Sequence, residues 1–262
     1  MSRIDQAFAR CRAENRAAFI PFIMGGDPSL TTCAALLDAL PAAGADIIEL
    51  GIPFSDPMAD GPVIAQAGLR ALEAGATLAH ILGLARAFRA KHSTPLVLMG
   101  YLNPVYVYGY EKFAADAQAA GVDGIILVDL PPEEAAEVEP LLTKHGIALV
   151  RLIAPTSVPG RLPLLTQHAN GYLYYISITG ITGGAAAPEA RIREHLAAIR
   201  AATSLPVCVG FGVKTPADVS AMAALSDGVV VGSAIVNFIR ESGSDLGKFT
   251  QFARALADGT RR

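Results

Sequence analysis

Three acids, Glu49, Asp56 and Asp60, fall within the stretch ELGIPFSDPMADGP, residues 49–62. Glu49 stands near the end of a continuous apolar run, and the two aspartates follow in a segment punctuated by Pro53, Pro57 and Pro62. A carboxyl group withdrawn from water favours its neutral form, so its pKa rises and it can give or take a proton near neutral pH. Side chains alternate along a strand, so in DIIEL (46–50) Ile48 and Leu50 share one face and Ile47 and Glu49 the other. With Ile48 and Leu50 packed outward on helices, Glu49 points inward. The competing reading is a structural carboxylate that accepts backbone N–H groups. Asp60 stands on a loop that proline stiffens by fixing φ and lowering the entropy lost on ordering. Asp60-Gly61-Pro62 is equally an ordinary turn and helix-start signal, and spacing alone leaves both readings open. Asp27 and Asp129, each shortly before a proline, fit turn or cap duty better.

The second chemical group is glycine. ITGITGG (178–184), GFG (210–212) and VGSAI (231–235) each follow an apolar run. Backbone N–H groups in such loops, with a helix N-terminus, suit a phosphate dianion, although glycine also ends strands for steric reasons. Absences narrow the chemistry. The five lysines, Lys91, Lys112, Lys144, Lys214 and Lys248, all lie outside the strand-like runs, which disfavours a Schiff base or covalently held pyridoxal phosphate. The five histidines, His80, His92, His145, His168 and His195, fall on helical segments or their ends, where neither a metal site nor a histidine general acid is evident. Cys11, Cys33 and Cys208 are an odd, scattered set without CxxC spacing, against disulfides and zinc. GxSxG, HExxH, GxxxxGK[ST] and GxGxxG do not occur. What remains is acid–base catalysis by carboxylates on a small phosphorylated substrate, with no metal or organic cofactor in this chain.

Such groups need elements to hold them. Eight short apolar runs of β-branched character recur: 19–24, 46–50, 95–100, 124–129, 147–153, 172–176, 206–210 and 228–231. Alanine-rich segments with helical spacing separate them, as at 30–43 and 111–120. Continuous apolar strands alternating with helices indicate a parallel sheet buried on both faces, and eight units fit a (β/α)8 barrel, with a doubly wound open sheet as the competing fold. The echoes AGAD (43–46), AGVD (120–123) and LSDG (225–228) lead into strands. Strands exit into GGDPS, DLPPEE and GVKTPAD, where hydroxyl, acid or proline can start a helix. The chemically rich loops thus lie at strand C-termini, the face where barrels carry their sites and where phosphate often sits after strands seven and eight. Tyr172 and Tyr174 share one face of their strand and Tyr175 takes the other.

The chain has 262 residues, 52% of them hydrophobic, a net charge of −3 and no composition break, so one domain spanning 1–262 is expected. No basic cluster with interleaved aromatics suggests nucleic acid. The N-terminal stretch alternates charged and apolar residues as a short amphipathic helix does and lacks a signal-peptide core, so a cytoplasmic protein is expected. The apolar runs fall far short of the roughly 20 residues a membrane helix needs.

IELGIPFSDPMADGP, PFIMGGDPS, GYLNPVYVYGYEKF, GVDGIILVDLPPEE, SITGITG, GFGVKTP and VGSAIV together resemble the blocks of the tryptophan synthase alpha chain family, in order, over essentially the whole length. The resemblance implies a (β/α)8 TIM barrel that cleaves indole-3-glycerol phosphate by a retro-aldol reaction to indole and glyceraldehyde 3-phosphate. Glu49 matches the family's catalytic acid/base and Asp60 the carboxylate that takes the indole N–H. Tyr174 and Thr182 match substrate-side positions, and Gly183, Gly212, Gly232 and Ser233 the phosphate-binding ones. Phe22, Leu98, Leu127 and Phe211 are candidates for the indole pocket. The resemblance also implies a beta-chain partner that contains pyridoxal phosphate, in an α2β2 heterotetramer, with Pro53, Asp56, Asn103 and Pro104 facing it. The sequence departs from the family where Ile64 is followed by Ala65 and then Gln66. One residue on a helix turns a side chain by about 100°, so the role of the family's glutamine does not carry over to Gln66. A stand-alone lyase releasing free indole, and a catalytically idle barrel kept as a binding subunit, are the alternatives.

Overall fold

The computed structural model describes residues 1–157, 159–176, 189–210, 212–243 and 245–262. Among these, nine parallel strand segments alternate with helices: β1 (Ala18–Met24), β2 (Ile48–Gly51), β3 (Leu96–Gly100), β4 (Gly124–Leu127), β5 (Ala148–Leu149), β6 (Arg151–Ile153), β7 (Leu173–Ile176), β8 (Val207–Gly210) and β9 (Gly228–Val231). Their order is β5-β4-β3-β2-β1-β9-β8-β7-β6. The two outermost segments are halves of one run interrupted at Val150, whose N–H still donates to the Ile125 carbonyl at 3.0 Å. β5 pairs with β4 and β6 with β7. The fifth stave therefore joins the two ends of the sheet and closes a (β/α)8 barrel. The expected continuous strand is split at the residue where its pairing passes from one neighbour to the other.

Alternation sorts the strand residues into two layers. Ile20, Ile47, Val97, Ile126, Val150, Tyr172, Tyr174, Cys208 and Val230 fill the barrel interior. Ile48, Leu50, Leu96, Leu98, Ile125 and Leu127 face outward, against helix residues such as Leu36, Phe88 and Phe113. A helix at Arg3–Ala13, opened by a capping box between Ser2 and Asp5, lays Ile4, Ala7, Phe8 and Cys11 under the barrel and seals its base. Those positions are one helical face, and the Phe8 and Tyr172 rings meet there at 5.8 Å between centroids.

The strand starts share a device. Asp46 accepts the Phe19 N–H and donates its own N–H to the Phe19 carbonyl. Asp123 and Leu96 make the same exchange, as do Asp227 and Val207, and the Asn170 side chain accepts the Leu149 N–H. Each satisfies an N–H in the first two residues of a strand. At the opposite end Ser29 and Thr215 cap the helices after β1 and β8. Asp129, beyond β4, accepts the N–H of Leu102, in the first turn of the helix Leu102–Tyr108, at 2.7 Å, and caps no helix of its own loop. Among the described residues no helix is long and apolar enough to cross a membrane.

Candidate active site

Glu49 lies on β2 between Phe22 of β1 and Val97 of β3. Its neighbours Ile48 and Leu50 pack outward, so its carboxyl enters the interior, where it is fully buried. The Tyr172 hydroxyl donates to Oε1 at 2.7 Å, while Oε2 has no hydrogen-bond partner among the described residues. Burial pushes the carboxyl from its ordinary 4.5 up to about 7, against the smaller opposing effect of the Tyr172 bond. Tyr172 is itself held well above its usual range, first by burial and then by the neighbouring Glu49, and so remains a donor. One oxygen of the acid is thereby fixed and the other left for proton exchange at neutral pH. A purely structural carboxylate would accept several donors; among the described residues Glu49 accepts one, from Tyr172.

The loop after β2 turns back over the mouth. The Ala59 N–H donates to the Tyr101 hydroxyl at 3.0 Å, and that hydroxyl donates to Asp60 Oδ1 at 3.0 Å. The Phe54 ring lies against Tyr101, 5.4 Å between centroids. Asp60-Gly61-Pro62 does start a helix, Pro62–Glu73, but Gly61 is its N-cap and no side chain caps it. The Asp60 carboxyl goes instead to Tyr101, and burial raises its pKa against that bond.

Phe22 stands beside Glu49 on the interior face and is almost fully buried. Leu98 and Leu127 do not join it. Val97 is in register with Glu49, so Leu98 must point to the helices, and Leu127 is paired in the same phase with Gly100. The positions that do face the interior on these staves are Val97, Met99, Ile126, Val128 and, on β6, Leu152, of which Met99, Val128 and Leu152 are half-buried. Tyr174 faces inward too, beside β8, where a Cβ at Gly210 would come within 2.7 Å of the tyrosine Cζ. Gly232 precedes the helix Ser233–Ser242, which also lacks a side-chain cap, and the Phe22 side chain lies under it. Gly212 adopts φ +81°, open to glycine. Thr182, Gly183 and Phe211 lie outside the described residues, as does the whole of ITGITGG (178–184).

Asp56 and Asn103 are exposed and Pro104 is half-buried, whereas Pro53 is buried inside the loop and cannot line a surface. The exposed apolar side chains beside them are Met58, Tyr106 and Val107, 80%, 65% and 76% exposed. Gln66 points to solvent and Ala65 is half-buried. Among the described residues no cluster of His, Cys, Asp or Glu is placed to hold a metal, and all three cysteines are buried and free.

Residues 8–260 match the family described as "Tryptophan synthase alpha chain". A tryptophan synthase subunit alpha from Legionella pneumophila superposes with a TM-score of 0.91 at 39% identity, covering 99% of this chain and 98% of that one. A chain of Mycobacterium tuberculosis tryptophan synthase does so with 0.92 at 37% identity, covering 100% and 99%. A chain from Aquifex aeolicus gives 0.93 at 34% identity with complete coverage of both. With the family match over residues 8–260 and a barrel of the same architecture, the chain belongs to the tryptophan synthase alpha chain family.

Proposed function

We propose that this barrel, a lyase of tryptophan biosynthesis by its family, cleaves indole-3-glycerol phosphate to indole and glyceraldehyde 3-phosphate. The observation that carries the reading is Glu49: wholly buried, its carboxyl pushed up to about 7 by that burial, with Oε1 held by Tyr172 and Oε2 without a partner among the described residues. In its neutral form Glu49 protonates C3 of the indole ring, which places a positive charge on the ring nitrogen. Ionised Asp60 accepts the ring N–H and stabilises that charge. The bond between C3 and the carbinol carbon then breaks. Its electron pair restores the indole π system, the carbinol becomes the aldehyde, and the hydroxyl proton returns to the Glu49 carboxylate. Protonated indole is the electron sink, so neither a Schiff base nor a metal is needed. Phe22, Met99 and Val128 would wall the ring, and the Gly232–Ser233 helix start would take the phosphate.

The partner would be a beta chain carrying pyridoxal phosphate, in an α2β2 assembly, docked over the face that bears Asp56, Met58, Asn103 and Tyr106. Indole release from indole-3-glycerol phosphate, measured with and without a beta chain, tests both parts. Wild type should release indole and respond to the beta chain. Glu49→Gln should lose about 10²–10⁴-fold in kcat while still binding a glycerol-phosphate analogue. Near wild-type turnover in that variant would refute the role of Glu49, and fast release indifferent to a beta chain would refute the partnership.

A further inference from the structure

The helix Pro62–Glu73 connects the loop that carries Asp60 to the rest of the barrel, and its docking is unusual. The face it buries consists of Ala67, Gly68 and Ala71. These rest on Phe22, Met24 and, from the helix at Ser233–Ser242, Val236. Small side chains allow close approach, the half-buried Val63 and Ile64 add larger apolar contacts to the same cluster nearer Asp60, and apolar contact itself has no direction. Direction comes from a polar contact. Arg70, in the last turn, donates from Nε to Asp27 Oδ1 and from Nη2 to Asp27 Oδ2, both at 2.8 Å. This two-pronged geometry fixes orientation as well as distance. Asp27 is only 4% exposed, so the pair is one end of a strongly held strut.

The loop that presents Asp27 is itself wedged in place. A Cβ at Gly25 would meet the Gly51 carbonyl at 2.6 Å, and one at Gly26, where φ is +91°, would meet Ala76 Cβ at 2.6 Å. Asp27 therefore hangs on backbone packed against both the end of β2, two residues past Glu49, and the turn that follows the Arg70 helix. A helix of this length is a rod of about 18 Å; fixing its far end fixes the tilt and roll of its near end, where Asp60 sits. Tyr101 holds Asp60 locally, and Arg70 holds the rod.

We propose that Asp27 and Arg70 are a positioning pair for Asp60, setting the height at which its carboxylate stands over the barrel mouth. The pair touches no reacting atom and acts through the rod. The significance of Asp60 for cleavage rests on the function proposed above, but its placement can be measured without substrate. Removing the ion pair slackens the rod and rehydrates Asp60; since burial is what raises the Asp60 carboxyl, its titration then moves down.

The test uses Arg70→Met, which keeps the apolar stem, Arg70→Lys, which keeps the charge without the fork, and Asp27→Asn, with the intact chain. NMR titration of the Asp60 carboxyl should show a fall of at least about half a pH unit in Arg70→Met and Asp27→Asn and a smaller one in Arg70→Lys. In cleavage assays kcat of Arg70→Met should fall about 10–100-fold, with KM within about threefold, and this loss should vanish when Asp60 is already Asn. An Asp60 titration unmoved in a folded Arg70→Met overturns the pair's role whatever the reaction is. An unchanged kcat, or a loss just as large in the Asp60→Asn background, overturns its action through Asp60. Absence of indole release by wild type would instead count against the proposed reaction and leave the titration result standing.

Discussion

Burial keeps the Glu49 carboxyl neutral up to about pH 7, which is the form that donates to carbon. kcat/KM should therefore fall as pH rises through about 7, and fall again on the acid side where Asp60 becomes protonated, giving a bell. The same burial couples to folding. Below pH 4.5 Glu49 is protonated in both folded and unfolded chains; between 4.5 and about 7 only the unfolded chain ionises, so stability drains away as pH rises and levels off beyond. For a shift of this size the loss is on the order of 3 kcal/mol. Urea unfolding at pH 5 and pH 8 should thus show Glu49→Gln gaining roughly 2–3 kcal/mol relative to wild type across that interval. An identical difference at both values would mean that Glu49 is already ionised at rest. Asp60→Asn should lower kcat about 10²-fold or more, and an unchanged kcat would return Asp60 to turn duty. The inward direction of Glu49 was legible from DIIEL alone. Leu98 and Leu127 do not line the pocket because Glu49 is in register with Val97, so the inward phase on β3 and β4 falls on Val97 and Ile126. Tyr172 and Tyr101, the donors to the two acids, lie 123 and 41 residues away from them in sequence, and no local pattern announces such contacts.

At the scale of elements, the N-terminal helix governs the site from below. Phe8 packs on Tyr172, and Tyr172 holds Glu49, so the seal that keeps water from the barrel base also keeps the acid dry. Phe8→Ala should cost about 3–5 kcal/mol in stability. It should also move the alkaline limb of kcat/KM to lower pH, as a wetter Glu49 ionises earlier. A stability loss with an unmoved limb would show that the helix is structural only. The amphipathic pattern of this helix was readable in the sequence, as were the capping residues Ser29 and Thr215. Its destination, the barrel base, was not, because one apolar helical face fits any apolar surface of matching width. The split of the fifth stave was equally hidden, since a continuous apolar run looks the same whichever neighbour each half pairs with.

At the scale of the whole molecule the two ends of the barrel divide the work. The buried aspartates at strand starts are charged and paired: Asp46 with Arg16 and Arg10, Asp123 with Arg89 and Arg3. Asp227, more exposed, pairs with Arg200. Asp46→Ala strands a partly buried arginine and should cost about 3–5 kcal/mol. Asp227→Ala should cost only about 1 kcal/mol. In both, kcat of the folded fraction should stay near wild type; a loss of kcat matching the loss of stability would show that the two ends are coupled. The echoes AGAD, AGVD and LSDG that lead into strands are the sequence trace of this arrangement. The strand-start loops were nonetheless expected to be chemically plain, because their acids do structural work that composition cannot distinguish from surface charge. Fastened by its own aspartates at the base, the barrel does not depend on its mouth loops for closure. Insertions, deletions and substitutions at the mouth can then be sampled while the frame stands, so this scaffold is suited to acquiring new substrates by loop exchange, in a laboratory library as much as in natural descent.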